Sequence, residues 1–251
     1  MAHTLINLGQ GFWNIRGKLR VGGLIDVGTH CSLIQLEHDR FIFLDSYELG
    51  GDVRDQVMAL TQQGQAVEAI LNLHPFHTLH CEAMVRDFPQ AKLYGSVRHQ
   101  QKLPHLPWSP DRVESEIVAA RYPALEFSLT QGIEYISSKL GVHAGSLLAY
   151  HPASKSLHVD DTFAAPPQGG LLEKLLPEIF ISPATRKALT SEVNAAEMYC
   201  HWVTQLADQW QATEHFCAAH SDLVQFKPGE FKPALLAALE RARPKLQSRS
   251  S

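Results

Sequence analysis

Along the chain, apolar positions fall in short blocks whose spacing switches between two residues and three or four. Near the N-terminus "CSLIQLEHDRFIFLDS" holds two β-type runs, residues 31–37 and 41–45, rich in Ile, Phe and Leu around a polar "HDR". That is the pattern of a hairpin. "DVRDQVMALTQQ" then spaces Val53, Val57, Met58 and Leu60 near one helical face, with Asp52 as the expected N-cap. "AVEAILNLH" is a short apolar strand. "EAMVRDFP" sets Met84, Val85 and Phe88 at helical spacing before Pro89, and "AKLYGS" reads as a further strand. Strand, loop, helix and strand in succession predict a layered α/β (α+β) domain, with its functional loops at the C-terminal ends of strands.

In the second half, "GSLLAYHPASKSLHVDDTF" predicts two strands joined by a turn at "HPASK". Residues 171–210 are mostly helical in pattern, "EHFCAAHSDLV" contains a last strand, and "PALLAALERARP" forms a terminal helix. The proline-rich "LPHLPWSP" is a loop inside the domain, because strand-like sequence resumes beyond it. The expectation is one domain over residues 1–251, closing in a frayed polar tail at residues 245–251.

Composition narrows the partners. A chain of 251 residues, 45% of them hydrophobic, can bury a sizeable core. With 22 basic against 26 acidic residues, a formal charge of −4, there is no basic excess to favour nucleic acid or an anionic membrane surface. The sequence shows neither a signal peptide nor an apolar run long enough to span a bilayer, so a soluble, cytoplasmic protein is expected. Cys31, Cys81, Cys200 and Cys217 are widely spaced with no C-x-x-C pair, which argues against a zinc ribbon and against a disulfide framework.

The candidate chemistry lies in "LNLHPFHTLHCEAM", residues 71–84, with histidines at intervals of three followed by a cysteine and a glutamate. A helix starting near Thr78 would turn His77, His80 and Cys81 to one side of its first turn. Imidazole, thiolate and carboxylate are the donors that a borderline divalent ion selects, so His77, His80, Cys81 and Glu82 are candidate ligands. His74, beside Pro75 at a strand end, is the fifth donor of the segment; in the plainer reading it bonds a backbone carbonyl, Glu82 favours the helix N-terminus and Cys81 is packed core.

The order of strands and donors resembles the metallo-β-lactamase fold superfamily over roughly residues 5–225, which implies an αββα sandwich with metal at the sheet edges. Setting His77 on the first histidine of that family's H-x-H-x-D-H motif puts Leu79 on the second, Cys81 on the aspartate and Glu82 on the third histidine, with His80 one place off register. His143 in "GVHAGS" stands one residue from the family's next ligand. Asp161 in "VDDTF" matches the bridging aspartate, and His220 in "CAAHSDL" the last histidine. In the plainer alternative His143 is an exposed turn residue, Asp161 caps a turn with Asp160 as its solvated neighbour, and His220 caps a helix.

The resemblance implies a mononuclear site for zinc, with iron or manganese as alternatives. It further implies hydrolysis of an ester, thioester, amide or phosphoester, with Asp161 positioning the nucleophile. Loss of the second histidine and the aspartate of the first motif speaks against a two-metal centre and against a flavin-linked iron branch. The rival reading is a non-catalytic scaffold with an eroded metal site that binds a ligand or partner. No G-x-S-x-G elbow or nucleotide-binding glycine loop is present. A small-molecule substrate is the expected partner, and assembly into a homo-oligomer is left open.

Overall fold

The computed structural model describes residues 3–18, 20–21, 25–26, 28–139, 141–166 and 177–247. The chain divides into two compact units, Met1–Glu126 with His151–Ser154, and Phe127–Tyr150 with Lys155–Ser251.

The first unit holds strands β1 (Thr4–Asn7), β2 (Phe12–Gly17), β3 (Arg20–Val21), β4 (Ile25–Asp26), β5 (Thr29–Gln35) and β6 (Phe41–Leu44). Helix α1 (Gly51–Leu60), strand β7 (Val67–Leu71), helix α2 (Cys81–Asp87), strand β8 (Lys92–Tyr94), and helices α3 (Val97–Lys102) and α4 (Glu116–Arg121) follow. Six strands form a sheet in the order β1-β2-β5-β6-β7-β8. The expected hairpin is β5 and β6, antiparallel with Leu33 opposite Phe43 and Ile34 opposite Ile42. All four residues of β6 are buried, the signature of a strand covered on both faces. On one face Phe43 packs with Val53, Val57, Met58, Met84 and Phe88, and its ring centroid lies 5.0 Å from that of Phe88. Strands β6, β7 and β8 run parallel, connected through α1 and α2, so the loops at their C-terminal ends gather along one sheet edge.

Local expectations need adjusting here. The N-cap of α1 is Gly50, and Asp52 lies within the first turn, where its charge suits the helix N-terminus. Leu60 is partly exposed. Helix α2 starts at Cys81 with His80 as its N-cap, three residues later than predicted, so residues 77–80 are loop.

The second unit contains β9 (Glu126–Leu129), β10 (Leu147–His151), β11 (Ser156–Val159), β12 (Phe163–Ala164), β13 (Phe180–Ile181), α5 (Thr185–Ala188), α6 (Ala195–Gln209), β14 (His215–Ala218), β15 (Val224–Gln225) and α7 (Phe231–Gln247). Its five-stranded sheet has the order β15-β14-β11-β10-β9, which makes the two strands flanking "HPASK" neighbours, as predicted. Helix α6 buries Ala195, Tyr199, Trp202, Val203 and Leu206 at helical spacing, and its C-cap Trp210 stacks on Tyr150 at 5.5 Å between centroids. Phe163 stacks on Trp202 at 5.9 Å.

The predicted helical stretch 171–210 is helical mainly in α6. Ahead of it, β13 pairs with β12, and only α5 is helical between Pro183 and Leu189. Residues 171–176 lie outside the described residues. Helix α7 continues through Pro244 to Gln247 with Leu246 buried, so residues 245–247 of the expected tail are helical, and residues 248–251 lie outside the described residues. Among the described residues no helix is long and apolar enough to cross a membrane.

Candidate metal centre

In the first unit the chain leaves β7 through Asn72 and Leu73 and enters His74-Pro75-Phe76-His77. The His77 N–H donates to the His74 carbonyl at 3.0 Å, which closes a four-residue turn with proline at its second position. Proline favours that place because its ring presets φ. The two histidines are the feet of this turn, and their rings stack at 4.1 Å between centroids, 28° apart in plane. Each offers a nitrogen within 4.8 Å of the other's. The spacing of three thus serves a β-turn and not a helix.

His74 is fully buried, and its Nδ1 accepts the Phe76 N–H at 3.2 Å. A neutral ring bonded this way carries its proton on Nε2, so ligation through Nε2 costs that one long hydrogen bond. Sequence reasoning counts His74 among the donors of the segment but leaves it out of the ligand set. The signal it passed over is the H-P-x-H turn, which brings the two imidazoles together.

The other candidates from this segment point elsewhere. His80, the N-cap of α2, sets its ring edge-on to Tyr47 at 5.2 Å, and burial pushes its pKa below the usual histidine value. Leu79 is 70% exposed. Cys81 is buried, with its Sγ 3.5 Å from Asn72 Oδ1, and burial pushes its pKa up to about 12. It is therefore a buried thiol at neutral pH, held between the Asn72 side chain and the His77 carbonyl. Glu82 is exposed and meets His105 Nε2 at 2.8 Å. Among the described residues, neither His80, Cys81 nor Glu82 belongs to a group of three metal-competent donors.

The loop that carries the histidine turn is anchored from three sides. Asp45 Oδ1 accepts the Leu73 N–H at 2.9 Å. Asn72, fully buried, donates through Nδ2 to the Tyr94 carbonyl at 2.9 Å and accepts the Ser46 hydroxyl at 2.7 Å. Each anchor comes from the C-terminal end of a parallel strand, and together they fix where the turn begins.

In the second unit a different device pairs donors distant in sequence. Strands β11 and β14 are parallel, with Val159 opposite Ala218. Two residues past each strand end, Asp161 and His220 come abreast, and His220 Nε2 lies 3.1 Å from Asp161 Oδ1. Both keep some exposure, 16% and 31% of their side chains. Thr162 secures the backbone beyond Asp161 by donating to the Ala144 carbonyl at 2.8 Å and meeting the Ser146 hydroxyl at 2.7 Å.

The expectation that Asp160 is a solvated neighbour is overturned: it is only 1% exposed, and the more accessible carboxylate is that of Asp161. Asp160 lies two residues from the buried His158, hence on the same strand face, and their donor atoms are within 4.8 Å. His143, in the loop before β10, belongs to no group of three donors among the described residues. Each unit thus offers a pair of hard or borderline donors, imidazole with imidazole in the first and an accessible imidazole with carboxylate in the second. That set suits zinc, iron or manganese.

No protein-family model matches the chain, and no curated protein matches it. Solved structures do. The chain is similar to a metallo-β-lactamase from Erythrobacter litoralis, determined with β-mercaptoethanol in the active site, at 12% identity and a TM-score of 0.62, over 95% of this chain and 96% of that one. It is similar also to a metallo-β-lactamase of Hirschia baltica, at 11% identity and a TM-score of 0.61, over 95% and 98%. A third, a Pseudomonas aeruginosa metallo-β-lactamase in its mono-zinc form, matches at 11% identity and a TM-score of 0.58, over 97% of each chain. The chain has the metallo-β-lactamase fold. Identities this low speak for the fold alone, and the chemistry rests on this chain's own residues.

Proposed function

We propose that the protein is a metal-dependent hydrolase that uses one ion, zinc by preference, to cleave an ester, thioester, amide or phosphoester in a small molecule. The ligand-bearing pairs we assign are His74–His77 within the first unit and Asp161–His220 within the second, each taken by itself. The observation that carries this reading is the Asp161–His220 contact at 3.1 Å, in which the parallel register of β11 and β14 sets an accessible carboxylate beside an imidazole. A bound ion would supply Lewis acidity and lower the pKa of water at the site towards about 7.

The side chains do the rest. Asp161 holds the His220 ring by accepting from Nε2, which would leave Nδ1 as the nitrogen His220 offers an ion, and its second oxygen can accept a proton from the attacking water. His74 and His77 are held by the proline turn, so both imidazoles of that pair are in place before an ion arrives. A thiol at Cys81, where the family carries an aspartate, removes the ligand of a second ion and supports a mononuclear centre.

The test is metal content together with activity. Full-length protein grown with zinc, iron and manganese supplied is expected to carry about one ion per chain and to hydrolyse p-nitrophenyl acetate, acetylthiocholine or bis-p-nitrophenyl phosphate. His77→Ala and Asp161→Ala should each lose both properties while remaining folded by circular dichroism. Protein that stays metal-free under all three supplements would refute the hydrolase reading. Turnover unchanged in both variants would do the same.

The competing assignment is a non-catalytic scaffold, favoured by the exposed apolar Leu79 and the protonated Cys81 at two of the family's ligand positions. It predicts no turnover of any of these esters, even with metal bound.

A further inference from the structure

We propose that Arg98 is the residue through which this protein grips an oxyanion of its substrate, a carboxylate or phosphoryl group, beside the His74–His77 turn. The inference rests on the hydrolase reading and deepens it by naming a substrate class. Arg98 lies on α3, directly after β8, and its guanidinium carbon sits 4.2 Å from the centre of the Phe76 ring. Phe76 is the third residue of the histidine turn, and its ring lies 5.9 Å from that of His74. One aromatic ring therefore touches both the cation and a candidate metal ligand.

The guanidinium has a place, and its Nε has no acceptor. Its Nε is shielded from solvent and makes no hydrogen bond, and among the described residues no carboxylate pairs with it. Other arginines of the chain do meet carboxylates: Arg54 meets Asp87 at 3.4 Å, Arg86 meets Glu48 at 3.2 Å and Arg243 meets Glu240 at 2.8 Å. The residue as a whole is half-buried, but a buried donor such as this Nε left without an acceptor costs free energy. Stacking on Phe76 offsets part of that cost but uses only the face of the planar group. The N–H donors lie along its edge, in the fork that matches a carboxylate or phosphoryl group with two parallel hydrogen bonds.

The helix that carries Arg98 is also anchored. Ser96 and His99 form a reciprocal cap at its start, with His99 Nδ1 accepting the Ser96 N–H at 3.1 Å. The guanidinium is thus held on a fixed backbone against a fixed ring. A substrate bearing its anion near the labile bond would reach both the fork and the histidine turn.

The experiment reads anion binding without reference to turnover. Full-length protein labelled with nitrogen-15, with no metal added, is titrated with inorganic phosphate and separately with acetate while the Arg98 Nε–Hε resonance is followed. Arg98→Lys serves to assign that resonance. A saturable shift is expected, and the arm that saturates first distinguishes a phosphoryl from a carboxylate ligand. Binding read from the Phe76 amide should weaken about tenfold in Arg98→Gln and less in Arg98→Lys, which keeps the charge but not the fork. Arg243→Gln should leave it unchanged. Absence of a saturable shift with either anion, or equal binding in Arg98→Gln, would overturn the inference. Metal content measured on the same samples reports on the hydrolase proposal alone, so failure of one is distinguishable from failure of the other.

Discussion

Replacing Asn72 by alanine tests whether the histidine turn is held by the anchors described above. The side chain is fully buried and joins three segments: its Nδ2 donates to the Tyr94 carbonyl, while its Oδ1 accepts the Ser46 hydroxyl and lies 3.5 Å from the Cys81 thiol. The substitution does not orphan Tyr94, whose carbonyl keeps the Asn72 backbone N–H at 3.0 Å. It does take the oxygen acceptor from the Ser46 hydroxyl, in a residue only 6% exposed, leaving it the weaker sulfur of Cys81, whose thiol keeps the His77 carbonyl at 3.8 Å. A buried donor so weakened sits at the low end of about 1–3 kcal/mol, and the lost net bond to Tyr94 adds about 1 kcal/mol. The expected destabilisation of the first unit is therefore about 2 kcal/mol, read as a lower urea midpoint at unchanged slope. Ser46→Ala removes the donor instead of the acceptor and should cost about 1 kcal/mol, with the double variant less than additive because the two side chains share one bond. On the proposed hydrolase reading, affinity for zinc should fall alongside, because the turn loses the anchor at its entry. An Asn72→Ala protein within about 0.5 kcal/mol of the parent, with undiminished zinc affinity, would show that the anchors do not hold the turn.

His99 predicts an acid sensitivity. Burial pushes its pKa down to about 4, so below pH about 6.5 the unfolded chain takes up a proton that the folded chain refuses. Stability should fall between those two values by up to about 3 kcal/mol and change no further below them on this account. His99→Gln, which retains a capping-box acceptor, should flatten that part of a pH series of urea midpoints. Gly132→Ala should prevent stable folding of the second unit or cost more than about 3 kcal/mol. Gly132 has a positive φ of 72°, and an added Cβ would lie 2.2 Å from the Ala195 carbonyl oxygen at the start of α6. Thermal unfolding followed by circular dichroism decides it. Cys81, with its thiol raised to about 12, should resist iodoacetamide at pH 8 in native protein and react in denaturant, as mass spectrometry of the labelled peptides would show.

Several elements were legible because their cause is local. The β5–β6 hairpin follows from two blocks of Ile, Phe and Leu around a polar turn, and α6 from apolar residues at helical spacing. Other features failed where tertiary contacts override local preference. The stretch ahead of α6 has helical composition, yet β13 pairs with β12 because the backbone there completes a ladder with a partner distant in sequence. Pro244 reads as a helix stop, but Leu246 gains burial by continuing α7 past it.

By itself the sequence determined which donors exist and which strands and helices carry them, since periodicity and side-chain chemistry are properties of neighbouring residues. It named Asp161 and His220 from a resemblance in order and spacing. Only the tertiary structure decided that they touch, because residues far apart in the chain become neighbours through the register of β11 against β14. Only the structure, too, separated His74 and His77 from His80, Cys81 and Glu82. A turn closed at Pro75 stacks the first two, while the later helix start sends the others to Tyr47, the core and solvent. Spacing along a chain becomes distance in space only after hydrogen bonds have chosen between a turn and a helix.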